Sequence, residues 1–213
     1  MTITKESMEK LDKRAIEDFG IDSLILMENA AMAVFNHIKR FNSYTVVCGS
    51  GNNGGDGLAV ARHLILNNKE VDVFIIKEVK TPEAKKNLEI LERMTRNICY
   101  INSTEDLDVL KKSLKENEVV VDAIFGIGLD REVKGISKET INTINKNGHM
   151  IVSIDIPSGM DANSGKTQGI SIIAHETIAI HEEKICLNNT RVCGKVYKAY
   201  VGIPEPYQEL VKK

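Results

Sequence analysis

Gly49, Gly51 and Gly54 follow a short β-branched run and precede a helical pattern, LAVARHLILNN, at the spacing G-x-G-x-x-G. Glycine in such a turn permits positive φ and lets backbone N–H groups approach a phosphate, which the following helix N-terminus attracts. The same loop carries Asn52, Asn53, Gly54, Gly55 and Asp56, and a plain phosphate turn needs neither the carboxamides nor the carboxylate. An ionised Asp beside a phosphate is repulsive unless a cation or a hydroxyl lies between them. Two more carboxylates interrupt apolar runs, Asp122 in VVVDAIFGIG and Asp155 in IVSIDIPSG. Burying either costs on the order of several kcal/mol unless it is paired, protonated or bound to a cation. The bland alternative is that each Asp caps its following turn. Asp56, Asp122 and Asp155 together favour acid–base chemistry in one crevice.

Such a crevice needs a parallel sheet to bring three strand ends together. Residues 4–17 read as an amphipathic helix, with Met8, Leu11 and Ala15 on one face, and residues 24–40 as a second helix. Strands are expected at 44–48, 71–76, 98–101, 119–124 and 150–154, alternating with helices at 58–68, 82–97, 103–117 and 138–146. Late strands are expected at 177–180 and 196–201. Alternation of this kind, with continuous apolar strands, predicts a three-layer α/β/α Rossmann-like fold. The sheet should be mostly parallel, with two extra helices in front, in a single domain over residues 1–213. Ligands of open parallel sheets bind beyond the strand carboxyl ends, where these motifs fall.

The chain has 213 residues, with 28 Lys and Arg against 30 Asp and Glu for a net charge of −2. That balance gives no electrostatic case for nucleic acid or an anionic membrane as partner. Aromatics are 5% and Trp is absent, so stacking platforms for bases are poorly supplied. The charged start and the lack of a long apolar run are expected of a soluble, cytoplasmic protein. Cys48, Cys99, Cys186 and Cys193 are scattered without a CxxC and read as reduced thiols rather than zinc ligands. A dinucleotide dehydrogenase would place a carboxylate at the end of its second strand. Here VDVFIIK ends at Lys77, and Asp72 lies at its beginning. That argues against a nicotinamide-dependent oxidoreductase, the first competing reading; the second is a non-catalytic dinucleotide- or protein-binding module.

GSGNNGGDGLAVARHL, VDAIFGIGLDREVKG and VSIDIPSGMDANSGK, in this order, resemble the NAD(P)H-hydrate epimerase family, and MENAA at residues 27–31 resembles the family's N-terminal helix. The resemblance implies a free-standing epimerase that interconverts the two C6 epimers of hydrated NADH or NADPH. It implies substrate contacts from residues 52–56, from Asp155, and from the phosphate-wrapping loop Gly126, Ile127, Gly128, Leu129, Asp130, Arg131 and Glu132. It also implies one potassium ion held by Asn53, Asp122 and Ser158, all of which can offer the oxygen ligands a hard cation prefers. Arg131 and Lys134 are further candidates for phosphate contact. The chain departs from the family pattern at His175, where Asp is usual, and at HEEK, whose Lys184 matches a family lysine loosely. Inverting a hemiaminal carbon needs a proton donor and a cation-stabilising anion. Asp155 is the expected acid–base group, its pKa raised by burial, with Asp56 in reserve. The apolar faces of the first two helices exceed what one sheet edge needs, so a homodimer is expected.

Overall fold

Runs such as YTVVC and VVVDA lack polar alternation, so strands built from them must be covered on both faces. In the computed structural model, which describes residues 2–204, these runs are β1 (Ser43–Cys48) and β4 (Val119–Ala123), buried throughout. The other strands are β2 (Glu70–Ile76), β3 (Ile98–Ile101), β5 (Met150–Ile154), β6 (Glu176–Ile180) and β7 (Lys195–Ala199). They form one sheet in the order β3-β2-β1-β4-β5-β6-β7. Every pairing is parallel, where the sequence reading expected only most of them to be. Met1 and residues 205–213 of the expected single domain lie outside the described residues.

The helices are α1 (Lys5–Glu17), α2 (Ser23–Ile38), α3 (Asn52–Leu66), α4 (Pro82–Glu92), α5 (Leu107–Glu116), α6 (Gly135–Asn147) and the one-turn α7 (Thr190–Cys193). One face of the sheet is covered by α2, α3 and α4, which share a core with Val46, Val73 and Val121. The other is covered by α5 and α6 over Val47, Phe74 and Val120. Both α4 and α5 are shorter than their patterns allow. The Asp106 carboxylate accepts the N–H groups of Asn102 and Ser103, both at 2.9 Å, and holds residues 102–106 as a turn. Among the described residues no helix is long and apolar enough to cross a membrane.

The N-terminal segment is tied to the far end of the sheet. Ile3 bridges Lys184 in parallel, donating its N–H to Glu183 O at 2.8 Å and accepting from Ile185 N at 3.2 Å. Thr4 then caps α1 through the Ser7 N–H. Met8 and Ala15 of α1 pack with Leu26 and Ala30 of α2 and with Val201 and Ile203. These contacts lay α1 beside the carboxyl ends of β5 and β6.

The glycine loop is itself the start of a helix, because α3 begins at Asn52, six residues earlier than the apolar periodicity alone indicated. Its glycines set a distance. A Cβ on Gly57 would lie 2.5 Å from Ala123 Cβ and 2.8 Å from Cys48 Sγ, so the helix rests directly on β1 and β4. Ala is worth about 1 kcal/mol more than Gly in a helix interior, whereas overpacking a core costs about 1–3 kcal/mol. The clash should win. Gly57→Ala is expected to lower the melting temperature by roughly 2–6 °C, read by a thermal melt. An unchanged or higher melting temperature would mean that α3 shifts freely on the sheet.

Candidate active site

Strand order reverses between β1 and β4, so the chain leaves their carboxyl ends in opposite directions and opens a crevice there. A cavity of about 790 Å³ fills it, walled by the loops after β1, β2, β4 and β5 and by α1. Of the residues expected to bind substrate, Asn52, Asn53, Asp56, Asp155 and all of residues 126–132 lie on this wall. Gly54 and Gly55 do not. Because α3 has already begun, a side chain on Gly54 would meet Gly49 O at 2.0 Å, and one on Gly55 would meet Met27 of α2. Their role is close packing.

One end of the cavity gathers charge. Asp155, directly after β5, adopts φ +69°, a left-handed conformation uncommon for a residue with a side chain. Its N–H donates to Ile178 O at 2.8 Å, and its carboxylate pairs with the ammonium of Lys184. Lys184 is only 1% exposed and also donates to Ile180 O at 2.6 Å. Asp155 is therefore one half of a buried ion pair, not the lone desolvated carboxylate that the sequence reading expected. The carboxyl held well above the usual range is Asp56, chiefly through burial and further through the nearby charges of Asp155 and Asp12, with Lys184 opposing. Asp12 of α1 is pushed up to about 6, again chiefly by burial, with Lys184 opposing and Asp155 and Glu9 adding to the rise.

Asp12 was missed in the sequence, although a signal was present. It lies four residues after Met8 and three before Ala15, on the buried face of an amphipathic helix, where a carboxylate has no packing reason to be. Lys184 was matched only loosely, and nothing local in HEEK marks it as buried. Ile3, through its bridge, positions both groups.

Beneath the middle of the cavity, Asp122 is fully buried and well satisfied. It accepts from Ser153 Oγ at 2.7 Å, Ser158 N at 2.9 Å, Ser158 Oγ at 2.5 Å and Ile124 N at 3.3 Å. Burial raises its pKa, and these hydrogen bonds oppose the rise. Ser158 Oγ also accepts the Phe125 N–H at 2.8 Å, fastening the loop after β4 to the loop after β5. Four hydrogen bonds thus offset part of the burial cost, and the carboxyl still stands above its usual range. Asn53 differs, since its side-chain oxygen and nitrogen are both buried with no hydrogen-bond partner. It stands against Gly126, whose Cβ, if present, would lie 3.6 Å from Asn53 Oδ1. Among the described residues no three His, Cys, Asp or Glu side chains converge as a metal site.

The family model described as "YjeF-related protein N-terminus" matches residues 23–186. A protein of Limosilactobacillus reuteri named NAD(P)H-hydrate epimerase is 38% identical over 206 residues, covering 94% of this chain and 93% of its own. Another of that name, from Elusimicrobium minutum, is 33% identical over 100% of this chain and 99% of its own. A bifunctional NAD(P)H-hydrate repair enzyme of Moorella thermoacetica is 34% identical over 95% of this chain, which spans 41% of that longer protein. The crystal structure of yeast ynu0 shares the fold, with a TM-score of 0.81 at 24% identity, covering 93% of this chain and 87% of that one. With a matching family model over most of its length and relatives aligned nearly end to end, the chain belongs to the NAD(P)H-hydrate epimerase family.

Proposed function

We propose that this chain epimerises hydrated NADH or NADPH at C6 of the nicotinamide ring, in the cavity beyond β1, β4 and β5. The observation that carries the reading is the grouping of Asp56, whose carboxyl favours the protonated form, with the Asp155–Lys184 ion pair. C6 bears a hydroxyl and is bonded to the ring nitrogen. Asp56 gives its proton to that hydroxyl, which leaves as water, while the nitrogen lone pair forms the C6=N bond of an iminium cation. Asp155 faces the cation as an anion and stabilises it. Water then adds to the opposite face, and the proton it releases passes through solvent to the Asp56 carboxylate, so the cycle closes without net change. The loop of residues 126–132, which carries Arg131, wraps the pyrophosphate.

A potassium ion, as the resemblance implies, fits one observation: the buried, unpartnered oxygen of Asn53 needs a positive partner. We assign the ion to Asn53, Asp122 and Ser158. It would supply positive charge beneath the phosphate-binding loops and fix the position of the Asn53 carboxamide. A cytoplasmic homodimer remains our reading of the assembly, supported by the exposed Ile16, Leu24, Ile25 and Met32 on α1 and α2.

The direct test is interconversion of chromatographically separated hydrate epimers, corrected for the spontaneous reaction. No acceleration by the protein would end the proposal. Asp56→Asn should lower kcat by about a hundredfold or more. Because an acid acts while protonated, the wild-type rate should fall as pH rises through the raised pKa of Asp56. Asp12 as an anion helps raise that pKa, so Asp12→Asn should move the alkaline limb to lower pH. Below about 6, where Asp12 is itself protonated, that charge effect should vanish. For the cation, thermal stability should rise with potassium but not with tetramethylammonium, and Asn53→Ala should abolish the difference. Equal stabilisation by both ions would remove the ion from this site.

A further inference from the structure

The cavity crosses the strand-order reversal, and its two ends carry different charge. Asp12, Asp56, Asp155 and Lys184 occupy the end near β5 and β6, whereas Ile76, Lys77, Lys80 and Thr81 wall the end beyond β2. From β5 to β2 is three strand spacings, about 14 Å. A dinucleotide whose ring sits among the carboxyl groups and whose pyrophosphate follows residues 126–132 has its adenosine half directed toward β2. In sheets of this strand order the residue that ends β2 meets the adenosine ribose. A carboxylate there binds the free 2′-hydroxyl, and a cation accommodates a 2′-phosphate.

This chain places cations there. Lys77 immediately follows β2 with φ +67°, a left-handed conformation held without glycine. The Lys80 N–H donates to Ser50 O at 2.8 Å, so the turn carrying both lysines is docked on the glycine loop. Neither ammonium has an ion-pair partner among the described residues, unlike Lys184, held by Asp155, and Lys134, which meets Glu132 at 2.9 Å. Thr81 Oγ1 is buried without a hydrogen-bond partner and does not cap the helix it precedes. Neither nearby acidic side chain forms an ion pair with these lysines: Glu78 is off the cavity wall, and Glu83 accepts from Ser23 Oγ at 2.5 Å.

We infer that Lys77 and Lys80, with Thr81, form a 2′-phosphate subsite, and that the chain prefers the hydrate of NADPH to that of NADH. The inference rests on the proposed epimerase reading for its substrate but not for its test. Charge-assisted contacts to a phosphate should give a preference of about tenfold or more, larger at low ionic strength.

Two measurements decide it. In the first, calorimetry compares the affinity of 2′-phospho-ADP-ribose with that of ADP-ribose. In the second, kcat/KM is compared for the two hydrates. Both ratios should favour the phosphorylated form and should fall to one or below in the Lys77→Glu/Lys80→Glu double variant, whatever happens to its overall rate. Equal ratios in the wild type, or ratios unchanged in the variant, would overturn the subsite. Both lysines are exposed, and a Lys77→Gln/Lys80→Gln variant provides a milder change should charge reversal disturb folding. If neither hydrate is turned over while the calorimetric preference holds, the epimerase reading fails and the 2′-phosphate subsite stands.

Discussion

An ammonium group withdrawn from water must find acceptors, and Lys184 finds Asp155 and the carbonyl of Ile180. Much of the active end is arranged around that requirement. Asp155 meets it only by leaving β5 in a left-handed conformation, one that Asp tolerates better than most residues. The turn after β6 is closed by the same ammonium, and Ile3 clamps the backbone of Lys184 from the other side. Once Asp155 and Lys184 have paired, no second buried Lys or Arg remains among the described residues for Asp12 and Asp56. Their carboxyls are left with burial and a neighbouring anion, which both favour the protonated state. The raised pKa of Asp56 thus follows from burial and from neighbouring anions, with Lys184 alone opposing, and needs no special property of Asp56 itself.

The ordering of the N-terminal segment follows from the same pair. α1 lies outside the residues that the family model matches, yet it delivers Asp12 to the cavity and starts beside Lys184. Its anchoring is polar as well as apolar, since Lys5 N donates to Asn163 Oδ1 at 2.8 Å and Glu6 accepts from Asn163 Nδ2. Met8, Glu9 and Asp12 of α1 therefore serve as a wall of the site. Loss of the strap would expose the Lys184 side chain and the carboxyls together.

How far the sequence discloses this depends on whether a residue's partners are local. The strands at β1, β4 and β5 were readable because buried parallel strands admit almost nothing but β-branched and small apolar residues. Asp56, Asp122 and Asp155 were readable because each violates that pattern. Lys184 was not, because its burial is decided by Asp155, twenty-nine residues away and across a strand pairing. Asp12 was hidden for a related reason: an acidic residue on a charged helix is unremarkable until the face it occupies is known to be covered. The donors that share the burial cost of Asp122 were hidden, because Ser153 and Ser158 lie in the adjacent strand and loop and are not part of its own motif.

The glycine spacing illustrates the converse, a pattern legible at once but ambiguous in meaning. Gly54 and Gly57 are required by backbone and side-chain atoms of β1 and β4 and the loop between β1 and α3, at distances where any Cβ would collide. Of the motif's own glycines, Gly49 is hemmed in by Ile124 O and Gly54 by Gly49 O, whereas a Cβ on Gly51 would meet nothing within 4 Å. G-x-G-x-x-G in this chain therefore reports first how tightly the turn after β1 is folded, and Gly57 beyond it how closely α3 approaches the sheet. The same turn can serve a dehydrogenase or this family equally well. What distinguishes them is the side chain standing immediately after each strand: Lys77 after β2, and Asp155 after β5. Under the proposed reading, Lys77 at one end would meet an anionic ligand group, and Asp56 with the Asp155–Lys184 pair at the other would meet a ring that becomes cationic during reaction.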